Sequence, residues 1–235
     1  MHSGLPVAAV VVFALLGQPR ASSGALLDQL AALRTGPETP ERLGAESRLL
    51  YFLAESAPDG AERERCHQEG LAVAERALAI DPDAPSALLW WSAHRGSQAS
   101  VLNPFAAVRI AQEVEAALLR LRAAHPDYDH AAADRALGHL YQVAPRGVSI
   151  GSLEKAGQHL RAALERDAAF PANALAYAQF LSQARDCEQA RVWATRVLRS
   201  PELGSYPLER AGWVQQAQKV LAGLDRRCRA EASWP

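Results

Sequence analysis

The chain has 235 residues, with 25 Lys and Arg against 26 Asp and Glu and a formal net charge of −1. Alanine (48) and leucine (31) make up about a third of it, while Phe, Trp and Tyr reach only 6%. Ala and Leu are strong helix formers, whereas sandwiches, barrels and buried parallel sheets need Val, Ile, Thr and aromatics, so the composition excludes a β-rich fold. The charge balance also removes the basic footprint of a nucleic-acid binder.

Residues 1–23 read as an export signal. Val7–Leu16 are ten apolar residues in a row, broken by Gly17 and Pro19 and followed by small residues from Ala21 to Gly24. That length suits a secretory core and is too short for a bilayer of about 30 Å. No Lys or Arg precedes it, and no Cys follows it as a lipoprotein signal would require. A buried apolar helix or an uncleaved anchor is the alternative. With the signal removed, no membrane span remains, and an exported, periplasmic location is expected.

Residues 24–44 form a short helix and a linker. Leu26, Leu27, Leu30 and Leu33 share one helical stripe, and Gly36–Pro40 breaks it. Residues 45–228 form the main helical domain, and 229–235 a tail. The pattern predicts helices at 41–57, 61–80, 85–97, 104–124, 130–144, 151–167, 172–184, 187–199 and 207–228. No segment alternates with period two, so the class is all-α. Pro82, Pro126, Pro171 and Pro201 punctuate the helices at intervals of 44, 45 and 30 residues. Proline cannot continue a helix, and helix-turn-helix units at such spacing predict an α-solenoid of stacked pairs.

On these residues the chain resembles the tetratricopeptide repeat (TPR) family. Leu137, Gly138 and Tyr141 fit a first helix. Ala156, Leu160 and Ala163 fit a second helix, as do Ala190, Ala194 and Val197, and Gly70, Ala74 and Ala77 with Pro82. The resemblance implies close helix crossings at the small residues and makes 207–228 a capping helix. A narrower likeness rests on Ala87–Gly96 (ALLWWSAHRG), on His125–Asp129 (HPDYD) and on Asp134–Tyr141 (DRALGHLY) with Pro145 and Gly151. These are similar to stretches of exported TPR proteins that include the T component of TRAP transporters, which associates with a periplasmic solute-binding protein. Ala131-Ala132 departs from the Gly-Gly frequent there, and the lipoprotein Cys is missing.

Gly147–Gly151 is a literal G-x-S-x-G, but a nucleophile elbow needs a strand before its serine, and here a helix and Pro145 precede Ser149. The segment reads as a loop, with Ser149 or Ser152 capping the next helix. His130 and Asp134 stand at i,i+4, a spacing compatible with a metal, near Asp127, Asp129 and His139. The preferred reading is a solvated acidic turn with Asp129 as N-cap, so no metal or cofactor is expected. Arg135 and His139 either line a concave groove, or Arg135 pairs with a helix carboxylate in its own neighbourhood.

The densest polar-aromatic cluster is Trp90, Trp91, His94 and Arg95. Trp91, His94 and Arg95 share one helix face, while Trp90 turns towards the core. With Arg135, His139 and Tyr141 they are the candidate ligand- or partner-binding residues, because aromatic and Arg side chains anchor binding surfaces; the alternative is plain core packing. In an exported protein Cys187 and Cys228 can pair, since antiparallel terminal helices bring both to one end. That bond would contribute roughly 4 kcal/mol in the chain-entropy view. Cys66 would stay free.

The expected function is therefore a non-catalytic exported scaffold holding a protein partner or a small ligand on its concave face. A TRAP-associated role, with a periplasmic solute-binding protein as partner, is the narrower form. The alternative is a structural adaptor in envelope assembly. A hydrolase on Ser149 or a metal enzyme on His130 is the third reading. A ligand site of the expected kind requires Trp91, His94, Arg95, Arg135 and His139 to line one pocket.

Overall fold

The computed structural model describes residues 23–99, 103–201, 204 and 206–232, with side chains except those of 104 and 227–232. The expected signal therefore lies outside the described residues apart from Ser23, as does the end of the expected tail. Among the described residues ten α-helices run in chain order: α1 (Ser23–Arg34), α2 (Pro40–Ser56), α3 (Gly60–Ile80), α4 (Pro85–Gln98), α5 (Pro104–Ala124), α6 (Ala132–Val143), α7 (Leu153–Arg166), α8 (Pro171–Gln183), α9 (Cys187–Arg199) and α10 (Arg210–Ala232). No strand occurs among the described residues, and the protein is all-α.

Local chemistry explains where the helices start. Thr39, Asp59, Asn103, Ser152 and Asp186 each accept the free N–H three residues on, at 2.8–3.2 Å. Pro40, Pro85, Pro104 and Pro171 occupy the first helical turn, where the missing N–H costs nothing. Helices α3, α5 and α9 stop two residues short of Pro82, Pro126 and Pro201.

The exception is α6. Asp129 does not cap it, contrary to expectation. The cap position falls on Ala131, which makes no side-chain cap bond, and Asp129, His130 and Ala131 all take the left-handed conformation, with φ of 45°, 55° and 62°. Three non-glycine residues in a row there carry about 1 kcal/mol of strain or more each, so tertiary contacts must hold them.

Each helix packs on the next, and α2 also meets α4, α6 meets α8, and α8 meets α10. The alanines of the expected crossings, Ala74, Ala77, Ala156, Ala163, Ala190 and Ala194, are fully buried. Gly138 lets α6 and α7 approach so closely that a Cβ there would stand 2.5 Å from Leu160 Cγ. A large apolar cluster joins α1 to α7, and a separate one gathers Phe170, Leu175, Val197 and Trp213. Among the described residues no helix is long and apolar enough to cross a membrane.

Candidate functional site

A cavity of about 200 Å³ lies where those two apolar clusters meet. α2 supplies Arg48, α4 supplies Leu89 and Trp90, and the segment before α6 supplies Tyr128 and Asp129. Arg135 comes from α6 and Phe170 from the cap of α8; Tyr206, Glu209 and Trp213 come from the start of α10 and the turn before it. Every described lining residue thus sits on an even-numbered helix or just ahead of one. Five of the chain's fifteen aromatic side chains face this one space.

The aromatic wall is interlocked. Phe170, Tyr206 and Trp213 form a trio with centroids 5.1–5.5 Å apart. Trp90 leans on Tyr51 and Phe52 at 5.5 and 5.9 Å. Such spacing is the range in which aromatic pairs attract beyond their area burial. His130 stacks on Phe170 at 4.1 Å, with Nδ1 2.7 Å from Asp167 and Nε2 2.6 Å from the Tyr206 hydroxyl. A neutral ring with its proton on Nδ1 satisfies both, donating to Asp167 and accepting from Tyr206. Asp167 feels burial in the upward direction, but the His130 bond and two backbone N–H donors hold it below the usual carboxylate range.

Two ion pairs complete the lining. Arg48 is bonded to Glu209, 161 residues away, and its guanidinium lies 4.9 Å over the Phe52 ring. Arg135, buried, bonds the Asp129 carboxylate at 3.0 Å, the His130 carbonyl at 3.2 Å and Asn173 Oδ1 at 2.8 Å. Asn173 Nδ2 in turn donates to the carbonyls of His130, Ala163 and Asp167. Burial pulls the Arg135 pKa down and Asp129 opposes it, yet a guanidinium remains charged. This clamp is what holds the left-handed turn and aims Asp129 at the cavity.

The chain matches no family model and no curated protein.

Of the sequence-derived candidates, only Trp90 and Arg135 line the cavity. Arg135 pairs with Asp129, in the turn ahead of α6 rather than on a helix as expected, and it lines the cavity, which His139 does not. Arg95 is turned to Glu113, at 2.7–2.8 Å, and to Gln98. Tyr141 is buried, donates to Glu115 at 2.6 Å and stacks on His159. Trp91 and His139 are half-buried and do not line the cavity. Of the five residues expected to share a pocket, Arg135 alone lines this cavity. The missed residues were Arg48, Tyr128, Phe170, Tyr206, Glu209 and Trp213. Tyr128 stood in a stretch already singled out; the others are isolated in sequence and carry no local signal.

His130 and Asp134 also part company. Asp134 is fully buried and accepts from Arg122 and His159, each at 2.7 Å, and these outweigh the upward push of burial on its carboxyl. No group of metal-ligating side chains converges among the described residues. The Ser149 hydroxyl has no hydrogen-bond partner, and the segment before it is helix and turn. Cys187 is disulfide-bonded and Cys66 is free; the side chain of Cys228 lies outside the described residues.

His94 is a core residue. Its Nε2 donates to the Ser47 carbonyl at 3.0 Å, so its bare Nδ1 accepts from His67 Nδ1–H at 3.1 Å. Burial, the largest cause at both rings, lowers His94 to about 3 and His67 to about 4. Above pH 6.5 both rings are neutral folded or unfolded. Below it the unfolded chain takes up protons that the core refuses, so stability falls as pH drops from 6.5 towards 4. Urea unfolding across that window should show proton uptake on unfolding that His67→Gln diminishes. A flat profile from pH 6.5 to 4.5 would refute the neutral buried pair.

Proposed function

We propose that the protein is a non-catalytic, exported binding module of TPR-like helix pairs, with its ligand in the cavity on the concave side. The observation that carries this is the convergence of a third of the chain's aromatic residues and two Arg–carboxylate pairs on one space of about 200 Å³. Binding sites are concave, mostly apolar and fitted with a few placed polar groups. Support for the paired-helix reading comes from the α2–α4, α6–α8 and α8–α10 contacts and from the origin of the lining residues on the even-numbered helices. In a solenoid, first helices line the inner face, and α10 takes the place of the capping helix.

The sequence likeness to exported TPR proteins adds a location and a partner: the periplasm, and a solute-binding protein of a TRAP-type transporter. Affinity capture with the tagged chain from its own envelope extract is expected to recover a solute-binding protein. Recovery of envelope-assembly proteins alone, with no thermal shift from any metabolite, would favour the adaptor reading instead.

A further inference from the structure

Among the described residues the charges around the cavity balance. Two guanidiniums, Arg48 and Arg135, face two carboxylates, Glu209 and Asp129, and each pair is internally bonded. A lone anion drawn to either arginine displaces a carboxylate and leaves it stranded in a poorly solvated place. A lone cation drawn to either carboxylate strands an arginine. Such uncompensated charge is strongly unfavourable. A purely apolar molecule leaves both pairs bonded but strips their outward-facing polar atoms of remaining solvation, which is also unfavourable. A ligand with one charge of each sign avoids all three penalties, because it can enter between a guanidinium and a carboxylate and leave both partnered.

The two pairs are not equivalent. Arg135 is fixed by the backbone carbonyls of the left-handed turn and by Asn173. Arg48 is a third exposed on its side chain, and its pair with Glu209 joins two elements at opposite ends of the described chain. Arg48–Glu209 is therefore the pair that a ligand can divide. The volume of about 200 Å³ equals roughly seven waters of liquid, which suits a molecule of that order in heavy atoms. The Trp90, Tyr206 and Trp213 rings then cover its apolar part or a methylated ammonium group.

We propose that the cavity binds a small zwitterionic ammonium carboxylate, an amino acid or a betaine, with its carboxylate on Arg48 and its ammonium against Glu209. This rests on the reading of the cavity as a ligand site.

Calorimetric titration of the full chain tests it with the twenty amino acids and glycine betaine as probes. Two truncated analogues of leucine accompany them, 4-methylpentanoate without the ammonium and 3-methylbutylamine without the carboxylate. At least one zwitterion is expected to bind saturably, with the charge-truncated analogues at least about tenfold weaker, and Arg48→Met or Glu209→Gln is expected to weaken it about ten- to hundredfold. Far-UV circular dichroism confirms that each variant is folded, and Arg48→Lys, which keeps the charge, retains part of the affinity. Either analogue binding as tightly as leucine would overturn the zwitterion and keep a ligand site. Binding of neutral 4-methyl-2-pentanone, lost in Trp213→Ala, would do the same. No binding by any probe overturns the proposal, and an accompanying failure to capture a solute-binding protein overturns the broader reading as well.

Discussion

Gly70→Ala is expected to cost about 4 kcal/mol of stability, from overpacking of about 1–3 kcal/mol and disruption of buried hydrogen bonds. A Cβ at position 70 would stand 2.1 Å from His94 Nε2 and 2.2 Å from its Cε1. The ring cannot step aside. It is fully buried, bonded to Ser47 through one nitrogen and to His67 through the other, and met edge-on by Tyr51. Helix α3 must then lift from α4, and the Ser47 hydroxyl loses its bond to the Gly70 carbonyl. Chemical unfolding gives the magnitude. Gly60→Ala serves as the control, since a Cβ there meets nothing within 4 Å. Strong coupling between Gly70→Ala and His94→Ala in a double-mutant cycle would locate the clash. A loss below about 1 kcal/mol for Gly70→Ala would show that the core yields more readily than its packing indicates.

Arg135→Met should cost about 3 kcal/mol, although methionine is close in length and apolar. Most of that comes from what the guanidinium leaves behind. Asn173 Oδ1 loses its donor in a buried place, and the turn at Asp129–Ala131 loses the group that holds its carbonyls. Arg135→Lys should recover little, because a single ammonium cannot span the Asp129 carboxylate, the His130 carbonyl and Asn173 at once. Hydrogen exchange at residues 129–132 distinguishes this from a general loss of packing, since local release of the turn should precede global unfolding. Wild-type protection there in Arg135→Met would show that the left-handed turn stands without its clamp. Against a typical net stability of about 5–15 kcal/mol, either loss is large.

Much of the helical frame could be read locally. Thr39, Asp59, Asn103, Ser152 and Asp186 cap helices because an oxygen at that position reaches the third N–H onward, whatever the rest of the chain does. Pro82, Pro126 and Pro201 stop helices for an equally local reason. Asp129 is the informative failure. Its sequence context is that of an N-cap, but its carboxylate bonds Arg135 and the backbone turns left-handed. The competing partner sits on the helix that Asp129 would have capped, and Asn173, 44 residues further on, fastens the arrangement from α8.

The site divides along the same line. Trp90 stood out as one of two adjacent tryptophans in a chain poor in aromatics, and Arg135 for its i,i+4 spacing to His139. His94 and Arg95 stood out for their place beside the two tryptophans and proved to serve the core and a pair with Glu113, since adjacent positions on one helix face different neighbours. Arg48, Tyr206, Glu209 and Trp213 carry no mark in sequence.

By itself the sequence determined that the chain is helical, where most helices begin and end, and where the small residues of the crossings lie. These follow from propensity, capping and close-range sterics, all acting within a few residues. Only the tertiary structure decided which side chains share the cavity, which carboxylate each arginine holds, which nitrogen of His94 carries the proton, and that three residues before α6 turn left-handed. Those depend on which helices meet, and the 161-residue span between Arg48 and Glu209 is closed by packing that no local pattern encodes.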